Sequence, residues 1–117
     1  MAAQIFVVLD DRYVLALIVG ELFNAGYEVV PFDDPMFAVR ALNVAERVDV
    51  LVTGVEFGPG KMRDETLPKI VVRKFPDVKV VLVAPSGFVA PIGVTIPVPG
   101  EGATQLLASV ARLLASP

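Results

Sequence analysis

Length, composition and charge already exclude several kinds of protein. The chain has 117 residues and a formal net charge of −3 at pH 7. Without a block of positive charge, nucleic-acid binding has little electrostatic support. The absence of cysteine and histidine excludes disulfides, thiolate or imidazole catalysis, and metal sites built on either residue. We expect one domain over residues 1–117, because a chain of this length can bury its own core.

Hydrophobic residues make up 55% of the chain, above the roughly 45–50% of an average domain. No apolar run reaches the roughly 20 residues that a membrane-spanning helix needs. The start of the chain also lacks the basic region and cleavage site of a signal peptide, so we expect a cytoplasmic protein without membrane association. The hydrophobic excess favours strands buried on both faces, and also an apolar surface that a partner covers.

The hydrophobic pattern predicts strands that alternate with helices. Short β-branched runs that end at turn residues are typical of buried strands, and apolar residues at helical spacing are typical of helices. In chain order the predicted elements are a strand at Ile5–Leu9, a helix at Tyr13–Ala25, a strand at Tyr27–Phe32, a helix at Pro35–Ala45, a strand at Val48–Gly54, a helix at Asp64–Phe75, strands at Val78–Ala84 and Thr95–Val98, and a helix at Gly102–Ala115. Pro31 marks the second strand as an edge strand, and Gly26 is expected to end the first helix.

Apolar residues near helical spacing support the first, second and last helices, and in the second helix they are expected to make its inner face. These residues are Val14, Leu17, Ile18, Leu22 and Phe23 in the first helix, Phe37, Ala38, Ala41 and Leu42 in the second, and Leu106, Leu107, Val110, Leu113 and Leu114 in the last. The alternation of strands and helices predicts a parallel sheet with helices on both faces. The connection Pro85–Val94 has only ten residues, among them two prolines and two glycines. A crossover usually needs about a dozen residues or more, so we expect no full helix there.

Several motifs together resemble a bacterial response-regulator receiver domain over essentially the whole chain. They are the strand that ends in a paired acid (FVVLDD), the GYEV that follows the first helix, the DVLVTGV strand with its Gly/Pro loop, and the VKVVLVA strand. The resemblance implies a flavodoxin-like, doubly wound α/β fold. Its five-stranded parallel sheet would have the order 2-1-3-4-5, with the fourth helix shortened or missing.

The resemblance also implies where the family's phosphorylation site falls. The acid pair that holds Mg²⁺ corresponds to Asp10 and Asp11, and the nucleophilic aspartate that ends the third strand corresponds to Gly54. The hydroxyl residue that ends the fourth strand corresponds to Ala84, and the lysine before a proline late in the fifth strand corresponds to Val98. An aspartyl phosphate requires a carboxylate, which glycine lacks. We therefore expect a vestigial pocket that the family's route cannot phosphorylate.

Asp10 and Asp11 have two interpretations. Together with Glu56, whose backbone carbonyl is in the position of a family metal ligand, they would form a weak site for Mg²⁺ or Ca²⁺, which prefer oxygen ligands. Alternatively they are remnants of such a site, or cap the first helix and interact with its dipole. We expect no cofactor other than weakly bound Mg²⁺.

Phe88, Val89 and Ile92, in the shortened connection, form the predicted interaction surface. In the resembled family the face built from helix four, strand five and helix five is the usual partner surface, and loss of helix four would bare apolar surface there. We expect a homodimer through residues 85–115 and a protein partner whose identity the sequence does not give. Alternatively, these side chains fold back and fill the gap locally.

Two functions follow from this sequence. The first is a pseudo-receiver, a signalling or interaction module of two-component type that acts without phosphorylation. The alternative is a flavodoxin-like domain that binds a small ligand or a divalent metal at the strand ends, where Gly54 and Ala84 leave room. We expect no enzyme, because the chain has no histidine, no cysteine and no recognisable pair of nucleophile and base.

Overall fold

The computed structural model describes residues 2–54, 66–84, 94–97 and 102–115. The strands and helices in this part of the chain are β1 (Gln4–Val8), α1 (Arg12–Asn24), β2 (Glu28–Phe32), α2 (Pro35–Val44), β3 (Val50–Gly54), α3 (Thr66–Lys74), β4 (Lys79–Ala84), β5 (Val94–Pro97) and α4 (Gly102–Ala115). Every element predicted from the sequence is present. The remaining differences lie at the element ends, where helices and strands fray.

The strands form one parallel sheet of order β2-β1-β3-β4-β5. In its register Val8 pairs with both Phe32 and Thr53, and Gly54 pairs with Val83. The predicted flavodoxin-like fold and strand order are therefore confirmed, and β2 lies at the edge as Pro31 indicated. The predicted loss of a helix between β4 and β5 concerns residues 85–93, which lie outside the described residues.

A hydrophobic layer covers each face of the sheet, because the strand side chains alternate between the two faces. One layer packs α1 and α4 onto the sheet, and the other packs α2 and α3 onto the opposite face. The first contains Ile5, Val7, Leu9, Leu15, Ile18, Leu22, Val50, Val52, Val81, Val83, Leu106 and Val110. The second contains Phe6, Val8, Ala38, Leu42, Val48, Leu51, Leu67, Val71, Val80 and Leu82. The central strand β3 is buried along its whole length, as its continuous apolar run predicted.

Residues at the helix ends explain why α1 ends, and why α2 begins, where they do. Gly26 follows the last turn of α1 with φ of 95°, a left-handed conformation that glycine adopts without strain. The Asp34 carboxylate caps α2 by accepting a hydrogen bond from the Met36 amide at 2.9 Å. Pro35 occupies the first helical position, where its missing N–H costs nothing.

Three of the apolar residues at helical spacing are largely exposed, and for Phe37, which was predicted for the inner face of α2, this is a correction. Leu17 and Phe23 of α1 are 49% and 69% exposed, and Phe37 of α2 is 52% exposed. In α1 the apolar residues surround most of the helix, so their spacing alone does not identify one inner side. Within the described residues, no helix is long and apolar enough to cross a membrane.

Candidate functional site

The carboxyl ends of β1, β3 and β4 are adjacent at one edge of the sheet. β3 lies between β1 and β4 in the sheet. At this edge Gly54, the last residue of β3, is therefore next to the end of β1, which precedes Asp10, and next to Ala84, the last residue of β4. Ligands of open parallel α/β sheets bind at this edge. The structure therefore brings together four of the sequence-predicted pocket positions, including Asp11, which precedes α1.

Asp11 is the N-cap of α1. Its Oδ1 accepts hydrogen bonds from the backbone amides of Tyr13, at 2.9 Å, and Val14, at 3.2 Å. These amides are among the first four of a helix, which have no partner inside it. The capping interpretation of Asp11 is therefore confirmed. Asp10, one residue earlier, is exposed to solvent.

Gly54 packs closely against β1. A Cβ atom added to Gly54 would lie 3.3 Å from Cδ2 of Leu9 and 4.0 Å from the backbone oxygen of Val8. Leu9 is 5% exposed and belongs to the layer between the sheet and helices α1 and α4. Its side chain therefore occupies part of the space that a larger residue at position 54 would need. At this point the end of β3 presents backbone and no carboxylate.

Thr53 precedes Gly54 and is fully buried. Alternation along the strand turns its side chain to the opposite sheet face from that of residue 54. The hydroxyl donates a hydrogen bond to the backbone oxygen of Gly54 at 3.1 Å. This hydroxyl is therefore buried and engaged locally, on the other side of the sheet from residue 54.

The remaining residues of the predicted site lie outside the described residues. They are Glu56 and Val98 of the pocket, and Phe88, Val89 and Ile92 of the interaction surface. The side chain of Ala84 is not described either, although its backbone ends β4 and pairs with Pro97. The predicted roles of these residues stay predictions.

A cavity that sequence reasoning missed lies at the opposite, amino-terminal edge of the sheet. It has a volume of about 280 Å³, and the segments before β3 and β4 line it together with the end of α3. Arg47 and Asp49 form an ion pair there at 2.8 Å, and the Lys74 ammonium donates to the backbone oxygen of Leu42. Both cations thus have protein partners. The lining residues come from two loops far apart in sequence, so no sequence motif marks the cavity.

The structure resembles solved receiver domains over nearly its whole length. A response regulator receiver protein from Sinorhizobium medicae superposes with a TM-score of 0.82 at 18% identity, over 97% of this chain and 96% of that one. The receiver domain of the hybrid histidine kinase CckA gives 0.78 at 26% identity, over 96% and 99%. The response regulator TrrA from Thermotoga maritima, solved in complex with Mg²⁺ and BeF, gives 0.79 at 19% identity, over 95% and 98%. No protein-family model and no curated protein sequence matches the chain.

These similarities establish that the chain has the fold of response regulator receiver domains. They confirm the resemblance that was stated from FVVLDD and the other motifs. Most of the identities are below 25%, so the fold is what they establish. The function of a domain with this fold depends on the residues that the chain places at its site.

The Mg²⁺ in the structure of TrrA raises the question whether this chain offers a similar site. Mg²⁺ demands near-ideal octahedral oxygen coordination and is usually held by one or two carboxylates together with a phosphate. Among the described residues, Asp10 and Asp11 follow β1 at this edge, and Asp33 and Asp34 follow β2 there. One Asp11 oxygen already accepts two helix amides, and Asp33 pairs with Arg12 at 3.2 Å. In the described part of the chain, no group of three or more acidic residues is placed to hold a metal ion. These residues do not fit a tight Mg²⁺ site.

Proposed function

We propose that this receiver-fold chain is a pseudo-receiver, an interaction or regulatory module of two-component type that acts without phosphorylation. Gly54, at the carboxyl end of β3, is the observation that carries the proposal. If the receiver resemblance of the sequence holds at this position, it corresponds to the phosphoacceptor aspartate of that family. A covalent acyl phosphate needs a carboxylate oxygen as nucleophile, and glycine has none.

The surroundings of Gly54 also support a pseudo-receiver that is not phosphorylated. Thr53 is buried and hydrogen-bonded to the Gly54 carbonyl, and the side chain of Leu9 lies where a residue at position 54 would extend. The resemblance also assigns the hydroxyl and lysine positions to Ala84 and Val98, neither of which supplies a hydrogen-bond donor from its side chain. Phosphoryl transfer depends on such fixed donors and cations at the oxygens of the transferring group.

Treatment with acetyl phosphate and Mg²⁺, followed by intact-mass spectrometry, tests the proposal. We expect no covalent phosphate on the wild-type chain, and no change in its melting temperature on addition of beryllofluoride with Mg²⁺. A typical receiver domain with an intact aspartate, treated in parallel, controls for the reagent. A phosphoaspartate mapped to Asp10, Asp11 or any other acid of the wild-type chain would overturn the proposal.

A module without chemistry of its own has to act through contact. We infer that the partner is a protein and that the chain forms one domain without enzymatic activity. The predicted homodimer through residues 85–115 is part of this proposal, and Phe88→Asp is expected to weaken it because a buried charge without a partner is costly. Light scattering of wild type and variant distinguishes the two outcomes. An unchanged dimer in the variant would remove this surface from the proposal.

A further inference from the structure

β2 is an edge strand whose outer side is not paired with any described strand. The sheet order places β1 on one side of β2 and no strand of the described part of the chain on the other. The sequence of β2, EVVPF, is mostly β-branched or aromatic apart from Glu28 and Pro31. An unpaired edge of this kind is a template on which a further strand can add.

The hydrogen bonds to β1 fix which backbone groups of β2 face outward. The Glu28 amide donates, at 3.0 Å, to the residue just before β1, and the Phe32 carbonyl accepts, at 3.1 Å, from the residue just after it. Because the backbone groups of successive strand residues point to alternate sides, Val30 faces β1 as well. Val29 and Pro31 therefore direct their backbone groups away from the sheet.

Few amide donors remain on this outer side. Pro31 has no N–H, and the Cδ atom of its ring occupies the place of the missing hydrogen. Tyr27, the next outward position before Val29, uses its amide at the end of α1, where it donates to the Leu22 carbonyl at 3.3 Å. Of the consecutive outward positions 27, 29 and 31, only Val29 thus retains an N–H for a further strand. A ladder needs a donor at every second residue, so a strand added here would not be held along its length.

Proline is distributed among the strands in the same sense. Of the five strands of the sheet, the edge strands β2 and β5 each contain one, Pro31 and Pro97, and the inner strands β1, β3 and β4 contain none. An inner strand does not tolerate proline, because a ladder hydrogen bond would be lost. At an edge, the same missing donor is denied to an incoming strand.

We propose that Pro31 closes the β2 edge to strand addition, so that a second copy of this chain does not extend the sheet there. The β2 strand of another copy is the strand that this edge would otherwise meet most often, because it presents the same apolar sequence. The inference goes beyond the proposed function. It means that contacts of the module with its own copies or with partners use other faces than this edge.

Hydrogen exchange of the wild-type chain tests the geometry of the edge. We expect the outward amide of Val29 to exchange fast and the amide of Val30, which faces β1, to be protected. Both side chains are half-buried, so side-chain exposure does not account for the difference. Equal protection of the two amides would overturn the proposal, because the edge would then be covered.

Sedimentation of Pro31→Val tests the closure itself. Valine restores the outward donor and favours strand structure, so we expect assemblies of at least about twice the wild-type mass. In these assemblies the Val29 amide becomes protected, which a merely destabilising substitution would not cause. Pro76→Val, at an exposed proline outside the strands, is the control that is expected to sediment as the wild type does.

A double variant separates the loss of Pro31 from a general loss of stability. Pro31→Val combined with Val29→Pro moves the missing donor to the other outward position and leaves the hydrogen bonds to β1 intact. We expect it to return to the wild-type mass. A folded Pro31→Val that sediments as the wild type does, an assembly in which Val29 stays unprotected, or a double variant that still assembles would each overturn the proposal.

The test is independent of the homodimer expected through residues 85–115. Phe88→Asp, which is expected to weaken that homodimer, should leave the assembly of Pro31→Val intact when the two substitutions are combined. An assembly that Phe88→Asp abolishes would overturn the role of the β2 edge. The absence of a wild-type homodimer, or a phosphorylated wild-type chain, would count against the proposed function alone.

Discussion

Leu9 and Gly54 together decide what the carboxyl end of β3 presents. The Leu9 side chain is buried, and its Cδ2 lies 3.3 Å from the position of a Cβ at residue 54. Contacts this short require the neighbour to shift, which the end of a flexible leucine side chain is able to do. The carboxyl end of β3 therefore presents backbone at Gly54, and an apolar group fills part of the space beside it.

Asp11 has a structural role that is independent of any metal. We predict that Asp11→Ala lowers the free energy of unfolding by about 0.5–2 kcal/mol, because the amides of Tyr13 and Val14 lose their acceptor. Urea unfolding in excess Mg²⁺ and in EDTA measures the change, which should be equal in both conditions.

Asp11→Asn is the matched control, because asparagine caps helices as well as aspartate does. It should retain nearly the full stability. A loss that appeared only in the presence of Mg²⁺ would instead identify Asp11 as a metal ligand.

At the scale of the element, α1 has one glycine within it, Gly20, and another just after its end, Gly26, and the two have different conformational requirements. Gly26 donates to the Phe23 carbonyl at 3.0 Å, and Tyr27 donates to the Leu22 carbonyl at 3.3 Å, which together form a Schellman motif at the end of the helix. The motif needs the left-handed conformation of Gly26, whose φ is 95°. Gly20 has an ordinary helical conformation, with open space around it.

Alanine substitutions at Gly20 and at Gly26 should therefore change the free energy of unfolding in opposite directions. We predict that Gly20→Ala raises the free energy of unfolding of the monomer by about 0.5–1 kcal/mol, because alanine restricts the unfolded chain and is compatible with the helix. Gly26→Ala should lower it by about 1–2 kcal/mol, because of the left-handed backbone. Chemical denaturation at low protein concentration measures both. Equal stability changes in Gly20→Ala and Gly26→Ala would contradict the conformational argument for both positions.

At the scale of the whole molecule, Asp49 joins the amino-terminal ends of the sheet. Its Oδ2 accepts from the Gln4 amide at 2.7 Å and from Nε of Arg47 at 2.8 Å. The Asp49 backbone donates to the Gln4 carbonyl and accepts from the Lys79 amide. Nη2 of Arg47 also reaches the carbonyl of Ala2 at 2.6 Å. One residue thus connects the beginnings of β1, β3 and β4.

We predict that Asp49→Ala lowers the free energy of unfolding by about 1–3 kcal/mol, because two half-buried donors lose their acceptor. The ion pair itself contributes little, since both side chains are about one-third exposed. Asp77→Ala, at an exposed acid that lines the same cavity, should change stability by less than about 0.5 kcal/mol. Urea unfolding of the three proteins measures the difference, and a similar loss in both variants would contradict the role of Asp49.

Much of the fold and part of the site could be predicted from the sequence, because short-range chemistry specifies them. The apolar run from Val50 to Thr53 predicted a strand buried on both faces, and Gly26 predicted the end of α1. From the sequence, Asp11 could be either a metal ligand or a helix cap, because a carboxylate that follows a strand is suited to both roles. Only the positions of the Tyr13 and Val14 amides around it decided the question.

The sequence by itself determined the order of the elements, the parallel sheet and the absence of a carboxylate at Gly54, since each depends on residue identity and local periodicity. Only the tertiary structure decided which side of each helix is buried. In α1 nearly every side is apolar, so spacing could not separate the buried Ile18 from the exposed Leu17. The direction in which the helix packs against the sheet selects the inner side, and that direction is set by contacts distant in sequence.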